Sequence, residues 1–313
     1  MEIDGEDDYF VKNTPPKNIN EVERKTKEFM KYQQEKGRRI VLVTSGGTTV
    51  PLENQTVRFV DNFSAGTRGS ASAEYFIENG YAVIFLYRQH SLRPYSRHYS
   101  HSKNCFLDML DIDKDNIIVN DKYKESMKSI LERYKKTKAE NLLLEIDFFT
   151  VKDYFFYLNK ITKILATMEE KSMYYLAAAV SDFFIPPERM VEHKIQSGEG
   201  ALKLSLDQVP KFLKPLVSEW APKGFIVSFK LETDPALLIS KARKALKRYG
   251  HQIVIGNMLL TRKKVVHFIT NDEERKIEMT EEELNNGIEI ETKIISELIK
   301  KHDQWINQSE ANN

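Results

Sequence analysis

The chain has 313 residues, 41% hydrophobic and 30% charged, and its 47 basic and 46 acidic side chains leave a net charge of +1. That length supports one large core with an appendage, and the near-neutral balance offers no broad field to a polyanion, so nucleic acid is not expected as a partner. No apolar run reaches the roughly 20 residues a bilayer requires, Met1–Asp8 is acidic where a secretory signal is basic and then apolar, and Cys105 alone builds no internal disulfide. These features predict a soluble cytoplasmic protein without a membrane partner, with the nucleus left open.

In chain order, the first twelve or so residues are polar and read as loose. Asn20 with Glu23 three residues on predicts a capped helix running to about Gly37. Ile40–Val43 is strand-like, Ser70–Asn79 helical with Gly80 at its end, and Ala82–Leu86 again a strand, which makes a β-α-β unit. Further strands are expected over Asn141–Ile146, Tyr174–Val180, Phe225–Phe229 and Gln252–Ile255, separated by helices at Asp153–Met168, Val209–Trp220 and Pro235–Tyr249. Runs apolar throughout suit parallel strands covered on both faces. After Val265–Ile269, the spacing of Ile288, Ile295, Leu298, Ile299 and Trp305 indicates a closing amphipathic helix. Ser91–Lys122 has little period and reads as a surface excursion. Phe183–Gln208, with Pro186, Pro187, Gly198 and Gly200, reads as an arm or flap. The whole predicts an α/β, Rossmann-like three-layer fold with a mainly parallel central sheet: residues 1–38 an extension with a helix, and residues 39–313 one domain with a flexible arm at about 183–208.

Thr44-Ser45-Gly46-Gly47-Thr48 follows the first strand, where open α/β sheets place their ligand crevice. Asn62-Phe63-Ser64-Ala65-Gly66-Thr67-Arg68-Gly69 opens the next helix, whose free N–H groups and dipole favour an anion. Two such cradles suit a triphosphate; two ordinary tight turns are the alternative, because neither is a Walker loop or GxGxxG. Ala177–Ser181 ends a buried strand in small residues with Asp182 at the tip. Asp182 could hold a ribose or substrate hydroxyl, an amide or magnesium, or simply cap the turn. Lys194, in the arm, could close over phosphates, although most loop lysines face water. Phe229–Asp234 offers an aromatic platform, unless Phe229 is core and Asp234 caps the next helix. The basic residues of Lys241–Arg248 and Arg262–Lys264 read as solvated element ends.

Taken in order, Thr44–Thr48, Val50–Glu53, Val57–Phe59, Asp61–Gly66, Ala177–Phe183, His193–Ser197 and Phe229–Asp234 resemble the phosphopantothenate–cysteine ligase family in its eukaryotic stand-alone form, over about Arg39 to Trp305. The resemblance implies that ATP activates the carboxylate of 4′-phosphopantothenate as an acyl-adenylate, releasing pyrophosphate, before L-cysteine displaces the nucleotide in coenzyme A synthesis. By the same resemblance, Asn62 holds the acyl group and Lys194 the α-phosphate; Gly46, Ser64, Gly66 and Gly69 line the triphosphate; and Phe229 and Asn257 lie near base and ribose. Ala178, Ala179 and Asp182 line the pantothenate side in the eukaryotic pattern, whereas the bacterial pattern sets the equivalent aspartate against the nucleotide, and both options stay open. Arg58 is expected to reach the substrate phosphate in a neighbouring subunit, which makes a homodimer part of the chemistry and gives the arm a dimerisation role. His193–Ser197 keeps one lysine where bacterial members carry several, so ATP is expected over CTP. Magnesium is expected to arrive with the nucleotide, since no residue cluster predicts a metal held by the protein itself.

Three rivals are weaker. A short-chain reductase using NADPH is suggested by YxxxK matches at Tyr99–Lys103 and Tyr134–Lys138, but the first loop lacks GxGxxG. A ligase-like regulatory protein without activity sits poorly with the joint presence of Arg58, Asn62, Asp182 and Lys194. Zinc binding by His98, His101 and Cys105 rests on a near-miss spacing.

Overall fold

The computed structural model describes residues 6–99, 106–196 and 200–312. Helices α1 (Glu6–Lys12) and α2 (Ile19–Glu35) precede β1 (Ile40–Ser45), all six of whose residues are buried. A short antiparallel hairpin of β2 (Thr49–Pro51) and β3 (Phe59–Asp61) follows, then α3 (Thr67–Glu78) and β4 (Ala82–Arg88). The hairpin β5 (Leu110–Asp113) and β6 (Asn116–Val119) leads into α4 (Asp121–Ala139), β7 (Leu143–Phe148), α5 (Val151–Leu165) and β8 (Ser172–Leu176). The arm contributes β9 (Phe183–Phe184) and β10 (Asp207–Gln208), paired antiparallel. After α6 (Leu213–Pro215) come β11 (Phe225–Glu232), α7 (Pro235–Tyr249), β12 (Ile253–Met258), β13 (Val265–Ile269), β14 (Glu274–Glu278), α8 (Glu281–Asn285) and α9 (Ile290–Asn312).

The central sheet has the order β14-β13-β12-β11-β8-β1-β4-β7. Six strands are parallel, and β13 and β14 add an antiparallel edge. From β1 the chain winds outward to β4 and β7, then returns to the other side of β1 with β8, β11 and β12. The switch point therefore lies between β1 and β8. One face of the sheet packs on α2 and α5 through Leu42, Ile84, Ile161 and Tyr174, and the other on α3 and α9 through Val43, Phe76, Tyr175 and Ile294. This is the expected three-layer arrangement with a mainly parallel sheet.

Several expectations shift in the structure. The helix begins at Ile19 rather than after Asn20; its capping position is Asn18, whose side chain accepts from the Tyr157 hydroxyl instead of capping. β8 stops at Leu176 because Ala177–Ser181 leaves the sheet to bond the loop after β1. Residues 209–220 form only the short α6 and a π-helical turn, Leu216–Trp220, as Pro210 and Pro215 remove backbone donors. The surface excursion contains the β5–β6 hairpin, and α4 follows it; α4 escapes a periodicity search because Thr137 is its only fully buried residue.

The N-terminal residues read as loose include α1, which is anchored by its aromatics. The Tyr9 ring stands edge-on to Phe155 and Phe212 at 5.9 and 5.1 Å, and Phe10 meets Phe156 at 5.0 Å. Two aromatics in one helical turn outweigh a polar average, since such pairs contribute about 0.5–1.5 kcal/mol beyond their buried area. The buried Tyr9 hydroxyl has no partner among the described residues. Tyr9→Phe is therefore expected to leave stability unchanged or raise it by up to about 1 kcal/mol. Chemical denaturation measures this, and a loss above that size would reveal a partner for the hydroxyl.

Candidate active site

The crevice forms at the switch point, where two loops leave the sheet and are stitched together. Ala179 N–H donates to the Gly46 carbonyl at 2.8 Å, and Thr48 N–H returns to the Ala179 carbonyl at 3.0 Å. The Thr44 and Thr48 hydroxyls accept from Ala178 N–H (3.1 Å) and Ser181 N–H (2.9 Å). A third segment joins through Asn62, whose N–H donates to the Thr48 carbonyl and whose side-chain amide donates to the Val180 carbonyl at 3.0 Å. The approach is so close that a Cβ on Gly47 would lie 1.6 Å from the Asn62 carbonyl oxygen. Above this seam opens a crevice of about 790 Å³, within the roughly 300–1,000 Å³ of small-molecule sites.

Six of the expected residues line that crevice together: Ser64, Ala178, Ala179, Asp182, Phe229 and Asn257. Asn62 lies just behind it, bonded to its lining residue Val180. Gly46, Gly66 and Gly69 sit in the supporting wall, and packing explains each of them. Gly46 has φ +82° with Arg88 2.7 Å from a virtual Cβ, Gly66 has φ +81°, and a Cβ on Gly69 would lie 2.4 Å from Ser45 Oγ. Asp182 is exposed and pairs with Lys211 at 3.1 Å. Phe229 lines the crevice while its ring packs on Tyr175 at 4.9 Å. Asp234 caps α7, accepting from Ala236 N–H.

Arg58 and Lys194 are not in the crevice of their own chain. Arg58 donates to Glu53 and to the Ile195 carbonyl, both at 3.1 Å, and Lys194 is exposed beside it on the arm. The arm is stitched here to the β2–β3 hairpin by Asn54 and Gln55 N–H groups donating to Val191 and Glu192 carbonyls. Glu53 is fully buried at the junction; the N–H of Arg58 foremost, then those of Val57 and Ile195, hold its carboxyl below the usual range against the effect of burial.

The crevice wall also carries Arg68, Lys230, Lys241, Lys244, Arg248 and Arg262. Lys244, Arg248 and Arg262 are exposed, as solvated element ends should be, and they border the crevice as well. The signal was present in the spacing: 241, 244 and 248 fall on one face of a helix, offset from the buried Leu238, Ala242 and Leu246. Part of this charge is balanced, with Glu232 between Lys241 (2.9 Å) and Lys230 (3.2 Å) and Arg68 on Glu291 at 2.8 Å. Burial by itself would raise Glu232, but those two lysines keep its carboxyl low.

The positions named for the rival chemistries are described only in part. His98 Nε2 donates to the Glu74 carboxylate at 2.9 Å, while His101 and Cys105 lie outside the described residues. Lys103 also lies outside them, and the Tyr134–Lys138 pair is a cation–π contact on α4, with Tyr134 exposed. Gly198 and Ser197 of the arm likewise fall outside the description. No helix among the described residues is long and apolar enough to cross a membrane.

Comparison with known proteins adds the family. Residues 159–301 match the model described as DNA/pantothenate metabolism flavoprotein C-terminal domain. The chain is similar to phosphopantothenate–cysteine ligase CAB2 of Saccharomyces cerevisiae, at 45% identity over 98% of this chain and 88% of that protein. It is also 45% identical to the Homo sapiens phosphopantothenate–cysteine ligase, over 86% of this chain and 88% of that one. Among solved structures, a Cab2 mutant in complex with phosphopantothenate-cysteine has a TM-score of 0.91 at 46% identity, covering 97% of this chain and 100% of its own. The DNA/pantothenate metabolism flavoprotein from Streptococcus pneumoniae, at 18% identity and TM-score 0.58 over 85% of this chain and 99% of its own, shares the fold.

Proposed function

The chain belongs to the phosphopantothenate–cysteine ligase family, and from that premise we propose that it joins 4′-phosphopantothenate to L-cysteine in coenzyme A biosynthesis, consuming ATP through an acyl-adenylate. A carboxylate is a poor electrophile because its charge is delocalised and oxide leaves badly. Its oxygen attacks the α-phosphorus and pyrophosphate departs; the free amine of cysteine then attacks the acyl carbon, AMP leaves with the bonding pair, and the nitrogen sheds a proton. Magnesium enters with the triphosphate and neutralises part of its charge.

The observation that carries this reading is the convergence of Ser64, Ala178, Ala179, Asp182, Phe229 and Asn257 on one crevice at the switch point, with a cationic wall suited to phosphates. Phe229 and Asn257 would meet base and ribose, Ala178 and Ala179 would leave room for the pantothenate chain, and the N-terminal turn of α3, at Thr67 and Arg68, would face the triphosphate. Asn62 would turn its second amide hydrogen to the carbonyl oxygen as charge develops there. Asp182, exposed at the mouth and held by Lys211, is within the same opening and would bind substrate hydroxyl or ribose.

Because Arg58 and Lys194 lie outside their own crevice on the hairpin and arm, a homodimer that shares its sites would bring them into use. Arg58 would take the substrate phosphate of the partner subunit, a charge-assisted contact of roughly 1.5–3 kcal/mol. Mixing Arg58→Ala and Asn62→Ala subunits, each inactive by itself, should then recover measurable activity, since one site of each mixed dimer is intact. No recovery after demonstrated subunit exchange would mean that each site is complete within one chain.

The function itself is tested by incubating the protein with phosphopantothenate, Mg²⁺ and ATP or CTP, with and without cysteine, and following pyrophosphate and amide. ATP is expected to be the better nucleotide, and the cytoplasm the place of action. No product with either nucleotide would sink the proposal.

A further inference from the structure

Because side chains alternate along β11, the lining of the crevice falls on two sides of the sheet, and each side is taken as one lobe. Val227 and Phe229 pack on the α3–α9 side, as Tyr175 does, and Asn257 shares that side with Ile255; Ile226 packs on the opposite side. Ser228 and Lys230 therefore share the Ile226 side. There α7 covers the sheet through Ala242, Leu246 and Val254, and Leu238 lies against Gly256. The second lobe is a groove between α7 and Phe212–Leu216, with Ser228 in its floor and Lys241, Lys244 and Arg248 along one wall. The opposite wall is apolar, with Phe155, Leu158, Phe212 and Leu216.

We propose that this groove is a second anion site, separate from the lobe of Phe229 and Asn257, which takes a small phosphorylated molecule whose neutral part lies on the apolar wall. Two independent features point to an anion. The first is charge: Glu232 balances one of Lys230 and Lys241, and Lys244 has no carboxylate partner among the described residues.

The second is a hydroxyl whose polarity is set from beneath. Ser228 Oγ is 2.8 Å from Nε2 of His251, a residue 1% exposed. Burial pushes this imidazole down to about 4, so the ring is neutral near pH 7 and carries a single N–H. Nδ1 is buried without a partner. A bare N–H costs more than a bare lone pair, so the proton belongs on Nε2. His251 then donates to Ser228, and the serine O–H is left to donate into the groove. A hydroxyl so oriented favours an acceptor-only ligand such as a phosphoryl oxygen, and the lysines supply the countercharge.

Nitrogen-15 resonances of His251 provide a local test. At pH 7 they should report the Nε2–H tautomer, and the Nδ1–H form would overturn the proposal. Titration with inorganic pyrophosphate should shift these resonances saturably in the wild-type protein and equally in Asn257→Ala, which impairs only the other lobe. Affinity read at His251 should fall at least tenfold in Lys244→Glu and in Ser228→Ala. Undisturbed His251 resonances, or equal affinity in Lys244→Glu, would refute the site. Since the readout needs no turnover, failure of the ligase assay would leave this test intact.

Discussion

Asn62→Ala is expected to slow acyl transfer by about 100- to 1,000-fold while leaving the protein folded. One preorganised amide donor aimed at developing oxyanion charge contributes about 2.7–4 kcal/mol to a transition state. The structural role of the same side chain is smaller: its amide donates once, to the Val180 carbonyl, and loss of such a bond costs about 0.5–1.5 kcal/mol. The two contributions separate by experiment, with single-turnover rates and denaturation midpoints measured on the same preparation. A rate loss below tenfold, matched by an equal stability change, would reduce Asn62 to a clasp between loops. The clasp itself depends on Gly47, since any side chain there would strike the Asn62 carbonyl.

The largest stability effect should come from Glu74→Ala, at about 3–5 kcal/mol, the usual consequence of deleting one member of a buried ion pair. Glu74, 1% exposed on α3, accepts from the Tyr95 N–H and from Arg97 Nε, both at 2.7 Å, and pairs with His98 at 2.9 Å. Arg97 continues to Glu289 through two bonds of 2.7 Å, so the cluster ties α3, the 95–98 turn and the approach to α9 together. Its removal strands a buried guanidinium with one partner and leaves the Tyr95 N–H bare.

Burial by itself would raise the Glu74 carboxyl, but hydrogen bonds from His98 and Arg97 overcome it and hold the group at about 2, against an ordinary 4.5. A depressed folded value means that the contribution is present in full above pH 4.5 and disappears as pH falls toward 2. The stability gap between wild type and Glu74→Ala should therefore be constant from pH 8 to 5 and narrow below 4.5. Urea unfolding across that range measures it, and a gap that stays constant to pH 3 would show that the charge is not responsible.

What the sequence determined by itself was local. The apolar runs of β1, β4, β8, β11 and β12 announce strands buried on both faces, because every position on such a strand must exclude water. The bounds of α7 were legible from Asp234, Pro235 and Gly250, which carry a cap, a first-turn proline and a left-handed exit within the chain itself. The ordered motifs placed Ser64 ahead of a helix and Ala178, Ala179, Asp182 and Phe229 at strand ends, the resemblance added Asn257, and these six line one crevice. Tertiary structure decided the rest. Gly46 and Gly69 were legible as small residues beside a ligand crevice, and the fold adds a packing need at each, since a Cβ there would meet Arg88 of β4 or Ser45 of β1. α1 was invisible because its anchors, Phe155, Phe156 and Phe212, lie more than 140 residues away. Arg58 and Lys194 sit outside their own crevice because Glu53 and the Ile195 carbonyl hold that corner, and the cations of α7 turn toward the crevice because Leu238, Ala242 and Leu246 face the sheet. Residue type reports how much water a position tolerates, but only packing across the chain decides which neighbour replaces that water.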